Sequence, residues 1–436
     1  MKKTVDTLVV GFALFSMFFG AGNLLFPPYL GLISGEHWLT SFVGFALADV
    51  GLALLVIIAA AKVNGKFGNI LIRSGKRLSV IIGAASVLCI GPLLAIPRTA
   101  ATTYEMGIQP IFGTSGNIAS IIVSVIFFGL TLFLTIRPTK VVDIVGKVLT
   151  PLLILSLIVL IILGIVNPIG DISPNVLIDK NLFAEGVSQG YLTMDALASG
   201  VFAGIIISAI ASKGYNNPGE RVKLTIKSGL VAGIALALIY GGLTYLGATL
   251  SNKYGIDTPR ALLMVEISSA LLGNTGKVLL GVIVSLACLT TSIGLTSATG
   301  EYFSEATNGK LKYETIVIAV CVFSAVISNF GVGAIIQLSA PILEIVYPVF
   351  MALVLLSLVC HNVKNDNVFK GAAYVTLVVS LLSVSNGLWK VAPFMEKLPL
   401  ASLGFSWVLP AIGGAIVGFF IKSEKSISLR ESYDAE

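Results

Sequence analysis

Long apolar runs separated by short polar segments fill the chain almost from end to end. Runs of about 18–28 apolar residues have the length that a helix needs to cross the hydrocarbon core of a bilayer. The pattern predicts about twelve spans, with boundaries uncertain by about four residues. They lie near residues 6–33, 38–62, 79–105, 117–136, 142–166, 189–212, 224–251, 277–301, 314–330, 333–360, 368–389 and 403–422.

Composition agrees with this pattern, because 56% of the 436 residues are hydrophobic and only 11% are charged. Such a balance excludes a soluble globular domain and indicates a polytopic membrane protein. The four cysteines lie in apolar runs without a metal-binding spacing, and the two histidines lie at span ends. No disulfide framework or metal cluster is predicted, and the whole chain, residues 1–436, is expected to be a single transmembrane domain.

Basic residues are concentrated in alternate loops. The loops after the second, fourth and sixth spans and the C-terminal tail carry Lys62, Lys66, Arg73, Lys76, Arg77, Arg137, Lys140, Lys147, Lys213, Arg221, Lys223, Lys227, Lys422, Lys425 and Arg430. The opposite loops are poor in basic residues, although Lys180, Lys253 and Arg260 lie there. The positive-inside rule therefore predicts that both termini are cytoplasmic, and the net charge of +6 reflects topology rather than a nucleic-acid partner.

The first span is interrupted by Gly20, Ala21, Gly22 and Asn23, and Pro27-Pro28 follows. Non-helical backbone at membrane depth survives only where it is buried in protein or lines a cavity. The free N–H groups after such a break suit a carboxylate, and the free carbonyls before it suit an ammonium group or a metal cation. An amino acid carries both ligand charges, so the interruption predicts an amino-acid site.

The sixth span carries a comparable interruption, because residues 193–204 combine Asp195 with small residues inside an apolar run. The first and sixth spans run in opposite directions and are five spans apart. Paired interruptions in two halves are typical of the binding sites of secondary transporters. The alternative is that these small residues only allow close helix packing.

The eighth span places Cys288, Thr291 and Ser292 at i, i+3 and i+4, which is one helical face. Two hydroxyl groups and a backbone carbonyl suit a hard cation. Hydrogen bonding between helices is the alternative role for these hydroxyls. The broken first span favours a cation site.

Charged residues within the spans are costly and usually pair or face a polar cavity. Asp49, Arg98, Asp195 and Glu344 lie at such positions. Arg98 and Glu105 are seven residues apart, which allows only a loose or water-bridged pair. For Arg98 the interpretation is a structural pair or gate, with direct substrate contact as the alternative. For Glu344, cation or proton handling and a buried gating role both remain open.

Two other classes of membrane protein fit the sequence poorly. An ion channel needs a continuous charged or carbonyl-lined pathway, and no repeated element here would build one. A membrane-embedded enzyme would need catalytic motifs such as HExxH or Gly-x-Ser-x-Gly, which the chain lacks. No enzymatic activity is therefore expected.

Two strings are specific enough to indicate a family: FFGAGNLLFPP at residues 18–28 and GPLLAIPRTA at residues 91–100. With the Thr-Thr-Ser stretch at 290–292 and the overall length, they make the chain resemble the bacterial branched-chain amino-acid:cation symporters (the LIVCS family). This resemblance implies the five-plus-five inverted-repeat, LeuT-like fold of the amino acid–polyamine–cation superfamily, an all-α membrane protein with helices 1 and 6 discontinuous. The first repeat would cover about residues 6–166, the second about 189–360, and two added spans about 368–422.

The resemblance also implies a function and a set of site residues. It implies import of leucine, isoleucine and valine across the bacterial cytoplasmic membrane, driven by a sodium or proton gradient, with no cofactor beyond the coupling ion. Carried onto this chain, the substrate site comprises Gly20, Ala21, Gly22 and Asn23 at the first break, Ser199 and Gly200 at the break of the sixth span, and Ala95, Ile96 and Phe202. The cation site comprises the carbonyls of Ser16, Phe19 and Cys288 and the side chains of Thr291 and Ser292.

The choice of coupling ion depends on the fifth span. Proton-driven relatives of this fold class can substitute a lysine there for the sodium ion, and residues 148–166 contain no basic residue. Sodium is therefore the expected ion, with proton-coupled symport of the same substrates or transport of another neutral amino acid as alternatives.

Overall fold

The structure, a computed structural model, describes residues 2–62, 67–113, 116–136, 140–215, 217–360 and 363–421, and every regular element among them is helical. The α-helices are α1 Lys2–Phe18, α2 Ala21–Ser34, α3 Trp38–Ala46, α4 Leu52–Lys62, α5 Phe67–Leu71, α6 Lys76–Leu88, α7 Ala95–Thr102, α8 Gln109–Phe112, α9 Asn117–Ile136, α10 Lys140–Val166, α11 Leu182–Thr193, α12 Asp195–Ser212, α13 Pro218–Ala248, α14 Arg260–Ala306, α15 Tyr313–Ser328, α16 Gly331–Val359, α17 Asn367–Trp389 and α18 Val408–Phe420. π-Helical segments occupy Leu47–Gly51, Cys89–Leu93 and Thr103–Ile108, and short 3₁₀ segments occupy Gly35–His37, Ile72–Ser74, Pro393–Lys397 and Ala401–Leu403.

Each predicted span coincides with one helix or with a chain of consecutive helices. Eight helical stretches of the described residues are long and apolar enough to cross a bilayer, and three shorter apolar helices accompany them. Some of these stretches contain more than one of the short helices named above. The count of twelve spans stays a prediction.

Two boundaries differ clearly from the prediction. The eighth span was expected near 277–301, but α14 extends from Arg260 to Ala306 and bends at Gly273, whose φ of 63° lies outside helical values. A glycine adopts this left-handed conformation without a steric penalty. The last span was expected near 403–422, but α18 covers only Val408–Phe420.

The third span is interrupted, although the sequence pattern predicted one continuous span. Gly91 has φ −95° and ψ −130°, and Pro92 follows it. Proline removes a backbone donor and disfavours a helical conformation in the residue before it. The chain therefore resumes a regular α-helix only at Ala95, which starts the short helix α7 beside the first break.

Glycines allow α2 and α13 to pack closely. A Cβ atom at Gly31 would lie 1.8 Å from the carbonyl oxygen of Thr244, and one at Gly247 would lie 2.0 Å from that of Pro28. Such close approach of backbones is typical of helix pairs in membranes, where small residues form the interface. The contact holds the second half of the broken first span against a continuous helix.

The outer faces of the helices are apolar, as α9 illustrates. Ile118, Val125 and Phe133 are exposed, whereas Ser124 and Thr131 are buried and form hydrogen bonds within the protein. This arrangement reverses that of a soluble protein, and it fits a helix whose outer face contacts lipid.

A buried ion pair attaches α17 to the segment before α6. Arg73 Nε donates to Asp366 Oδ1 over 2.7 Å, and the Arg73 guanidinium lies 3.8 Å from the centroid of the Phe369 ring. The exposed fractions of the two charged side chains are only 10% and 2%.

We expect Asp366→Ala to lower the free energy of unfolding by about 3–5 kcal/mol, because it leaves the Arg73 charge buried and uncompensated. Thermal unfolding of the purified protein in detergent measures this effect. Lys3→Ala is the control, since it removes one partner of the exposed Lys3–Glu220 pair and should leave the unfolding temperature unchanged. Equal melting temperatures for the two variants would contradict the structural role of the buried pair.

Part of the topology prediction falls on residues that the structure does not describe. Lys66, Arg137 and the tail from residue 422 onward lie outside the described residues, as do the side chains of residues 140–150. The cytoplasmic placement of both termini stays a prediction.

Candidate functional site

The first break lies where the sequence predicts it. Helix α1 ends at Phe18 and α2 begins at Ala21, with Gly20 in an extended conformation (φ −117°, ψ −170°). The Gly20 N–H donates to Asn23 Oδ1 over 3.2 Å, and the Asn23 N–H donates to the Gly20 carbonyl over 3.2 Å. These reciprocal bonds stabilise a new helix start, whose first N–H groups have no acceptor within their own helix.

Asn23 also joins the first break to two other parts of the molecule. Its Nδ2 atom donates to Asp195 Oδ2 over 2.7 Å and to the hydroxyl oxygen of Tyr240. The side chain is 1% exposed, and both of its ends are engaged within the protein. Asn23 was predicted to bind substrate. In this conformation its side chain stabilises the break through hydrogen bonds.

The second break lies at Met194, not at the predicted Ser199–Gly200. Met194 adopts the left-handed conformation (φ 69°, ψ 12°), which separates α11 from α12. Ser199 and Gly200 lie inside α12, where the Ser199 hydroxyl donates to the Asp195 carbonyl over 2.7 Å. The prediction was wrong about the position because small residues within a helix need not break it.

Arg98 caps the second break. Its Nη1 atom donates to the Leu192 carbonyl over 2.6 Å, and its Nη2 atom donates to the Thr193 carbonyl over 3.3 Å. These carbonyls end α11, where the helix leaves acceptors unsatisfied and the helix dipole favours a cation. Arg98 is 3% exposed and thus holds a structural position, as one of the two sequence interpretations proposed.

The two breaks line a small cavity of about 30 Å³. Its lining includes many residues that were predicted to bind substrate or to form the cation and charge network: Gly20, Ala21, Gly22, Asn23, Ala95, Arg98, Phe202 and Thr291. Ile96, Ser199 and Gly200 do not line it in this conformation, and their contact with substrate stays a prediction.

Several lining residues were not predicted: Met17, Phe18, Ile90, Thr99, Thr193, Met194, Asp195, Ala198 and Leu295. Helical spacing would have found some of them. Ala95 and Thr99 lie four residues apart on one face of α7, whereas Ile96 is turned about 100° away. Asp195, Ala198 and Phe202 follow the same rule, since they lie at i, i+3 and i+7 on one face of α12.

The predicted cation site is only partly assembled. A Cβ atom at Gly20 would lie 3.6 Å from Thr291 Oγ1, so this hydroxyl lies beside the first break. The Ser292 hydroxyl instead accepts a hydrogen bond from Thr131 on α9 over 3.3 Å. Cys288 is fully buried, Ser16 lies in the last turn of α1, and the Phe19 ring stacks on Phe15.

The remaining members of the predicted charge network lie apart from the cavity. Glu105 accepts the backbone N–H of Val332 at the start of α16 over 2.8 Å, and the structure shows no pair with Arg98 among the described residues. Glu344 lies on α16 with an exposed side chain, and both roles considered for it stay predictions. Neither residue lines the cavity.

Aromatic and charged side chains close the α2 end of the cavity. The guanidinium carbons of Arg98 and Arg260 lie 5.3 Å and 5.2 Å from the centroid of the Phe26 ring, and Arg260 also covers Tyr29 at 4.0 Å. Arg260 further donates to Gln189 of α11 over 2.6 Å. These contacts tie α2, α7, α11 and α14 together on one side of the breaks.

Ion pairs hold the opposite end of the first span. Asp6 accepts from Lys213 Nζ and from the Tyr215 hydroxyl, each over 2.9 Å, and Lys3 pairs with Glu220 over 2.6 Å. Helix α1 is therefore attached to the segment after α12 and to the first turn of α13.

The sequence of the chain matches known transport proteins over nearly its full length. Residues 3–425 match the family described as "Branched-chain amino acid transport protein". The branched-chain amino acid permease BraB of Bacillus subtilis (strain 168) is 38% identical over 431 residues, covering 95% of each chain. A Staphylococcus aureus (strain USA300) protein named as a branched-chain amino acid carrier is 37% identical over 438 residues, covering 96% of this chain and 98% of its own.

Solved structures show the fold. MhsT, in complex with L-phenylalanine, matches with a TM-score of 0.58 at 18% identity, covering 94% of this chain and 98% of its own. Mhp1, a nucleobase-cation-symport-1 family transporter with bromovinylhydantoin bound, matches with a TM-score of 0.63 at 13% identity, covering 98% and 96%. The predicted LeuT-like, all-helical fold is confirmed.

The match of the sequence to transport proteins agrees with the two broken helices of the structure. The relatives are permeases or carriers and the structural neighbours are transporters, so the protein is a multi-pass membrane transporter and not an enzyme. The chain belongs to the branched-chain amino acid transport protein family.

Proposed function

We propose that this protein imports leucine, isoleucine and valine across the bacterial cytoplasmic membrane together with Na⁺. The observation that carries the proposal is the placement of the Thr291 hydroxyl beside the first helix break, within a cavity that both breaks line. The names of the full-length relatives support the substrate class. Transport of another neutral amino acid is the alternative.

The polar side of the cavity suits the charged ends of an amino acid. The N-terminus of α2 at Ala21 and Gly22 offers N–H groups and the positive end of a helix dipole to a carboxylate. The Asp195 carboxyl group lines the same cavity and suits an ammonium group. A zwitterion can therefore be held by both breaks at once.

The apolar side of the cavity suits an aliphatic side chain. Ala95, Ala198, Phe202 and Leu295 line it. A hydrophobic pocket distinguishes substrates by only about 1–3 kcal/mol per methylene group, so the three branched-chain amino acids should compete with one another. Charged amino acids should be excluded because the residues proposed to surround the substrate side chain are apolar, and a charge buried among them would be costly.

Transport requires the cavity to enlarge, because a volume of about 30 Å³ does not admit leucine. In transporters with paired broken helices, one bundle rocks against the other around a site near the bilayer midplane. The contacts of Arg260 with Phe26 and of Asp6 with Lys213 are the connections that such a motion would break in turn. In the proposed topology both termini are cytoplasmic, and the two repeats and two added spans form one domain.

Sodium is proposed as the coupling ion because the Thr291 hydroxyl lies beside the first break and residues 148–166 of the fifth span contain no basic residue. Proton-coupled symport is the alternative. Purified protein in liposomes should accumulate labelled leucine under an inward sodium gradient at equal pH. It should accumulate much less under an inward proton gradient without sodium.

Unlabelled isoleucine and valine should abolish this uptake, and lysine or glutamate should not. Protein-free liposomes are the control. Accumulation driven by the proton gradient alone would overturn sodium coupling, and failure of valine to compete would overturn the substrate class.

A further inference from the structure

Two carboxyl groups meet beneath the helix breaks without a basic partner. Asp49 lies in the π-helical segment Leu47–Gly51 of the second span, and Asp195 is the first residue of α12. Their exposed fractions are 0% and 7%, and the two residues line one small pocket together with Phe18 and Leu236. Among the described residues, neither forms an ion pair with lysine, arginine or histidine.

The hydroxyl group of Thr193 lies within hydrogen-bond distance of two acceptors. Thr193 Oγ1 lies 2.5 Å from Asp49 Oδ1 and 2.7 Å from the Gly190 carbonyl oxygen. A hydroxyl group carries one proton, and a carbonyl can only accept. If Thr193 donates to Gly190, the short contact with Asp49 requires a proton on the carboxyl group.

The second oxygen of Asp49 leads to the same conclusion. Asp49 Oδ2 is buried and meets no donor within the described part of the chain. The Asp195 carboxyl group faces Asp49, while Asp195 Oδ2 accepts from Asn23. Two ionised carboxylates at such short range in a buried site would repel each other strongly, and one proton shared between them removes this repulsion.

We propose that Asp49 and Asp195 form a proton-binding site in which the two carboxyl groups share one proton. The site is separate from the proposed sodium site at Thr291. The titratable groups that face it from the helices packed around it are Arg98, Tyr240 and Tyr347. Arg98 is committed to two backbone carbonyls, so its charge balances one carboxylate at a distance and the proton balances the other.

The shared proton connects the parts that must move during transport. Asp195 bonds to Asn23 of the first break, and Asp49 contacts Thr193 at the second break. Loss of the proton would place two negative charges between these contacts and push the second span away from α12. The two breaks and the second span are therefore held together as long as Asp49 and Asp195 share the proton.

Infrared spectroscopy of the full-length protein tests this proposal without sodium or transport. A protonated carboxylic acid absorbs at a frequency distinct from that of a carboxylate. At neutral pH we expect a carboxylic acid band in wild-type protein and the loss of this band in Asp49→Asn. Asp257→Asn, which removes an exposed loop carboxylate, is the matched control and should keep the band.

A second measurement keeps the test valid if Asp49→Asn does not fold. Wild-type protein made with isotope-labelled aspartate should shift the same band, which assigns it to aspartate rather than glutamate. A band absent from the wild type between about pH 5 and about pH 9 would overturn the proposal. A band unchanged in folded Asp49→Asn would overturn it as well, and neither result would affect the interpretation of sodium-driven uptake.

Discussion

Gly22→Leu is expected to abolish leucine binding while the protein still inserts and remains monodisperse. A Cβ atom at Gly22 would lie 2.7 Å from Arg98 Nη2 and 3.1 Å from Phe26 Cε2. Arg98 cannot move aside freely because it bonds to the Leu192 and Thr193 carbonyls. Even one added methyl group should cost about 1–3 kcal/mol, and a leucine side chain would also fill the cavity.

Equilibrium binding of labelled leucine to the purified protein measures this effect. Gly22→Ala should already weaken binding by about 5-fold to about 100-fold, as that energy implies. Gly294→Leu is the control, because a Cβ atom there would meet nothing within 4 Å and the position is exposed. Wild-type affinity in Gly22→Leu would remove the first break from the substrate site.

Thr291→Ala combined with Ser292→Ala is expected to raise the sodium concentration needed for half-maximal leucine uptake by at least about tenfold, equivalent to about 1.4 kcal/mol. The physical reason is the loss of oxygen ligands that a hard cation requires. The structure further predicts that Thr291→Ala alone has most of the effect. Its hydroxyl lies beside Gly20, whereas the Ser292 hydroxyl bonds to Thr131 on α9.

The sodium dependence of uptake in proteoliposomes distinguishes the single variants from the double variant. Thr376→Ala is a suitable control, since this buried hydroxyl on α17 bonds only to the Ala372 carbonyl of its own helix among the described contacts. An unchanged sodium requirement in the double variant would place the cation elsewhere. A dominant effect of Ser292→Ala would show that α14 rotates when the ion binds.

The first break could be predicted from sequence because its residues act locally. Glycines on either side of Ala21, with Asn23 three residues after Gly20, are enough to end one helix and start another. The second break could not be placed in this way. Met194 carries a side chain, and it adopts a left-handed conformation because Arg98, from another span, satisfies the carbonyls before it.

Which residues line the cavity depends on where each helix starts, because the start sets the direction in which every side chain points. The sequence does not define these starts. The interruption at Gly91 sets where α7 starts, and this start turns Ala95 and Thr99 toward the cavity and Ile96 away. The string at residues 91–100 indicated the family but not this phase. Hydrogen bonds between distant residues could not be predicted from the sequence either, since Asn23 and Tyr240 are 217 residues apart in the chain.

The carboxyl pair shows a further limit of sequence reasoning. Asp49 and Asp195 each appeared as an isolated charge within a span, and only the folded chain brings them together. The π-helical segment at Leu47–Gly51 shifts the register of the second span where Asp49 meets Thr193. A periodic α-helical pattern does not predict such a segment.

A structure determined with leucine and sodium tests whether the two helix breaks hold the amino acid. We expect the leucine carboxylate at the N-terminus of α2 beside Ala21 and Gly22, its ammonium group toward Asp195, and its side chain against Ala95 and Phe202. Leucine bound outside the space between the two breaks, with the cavity still at about 30 Å³, would contradict this expectation.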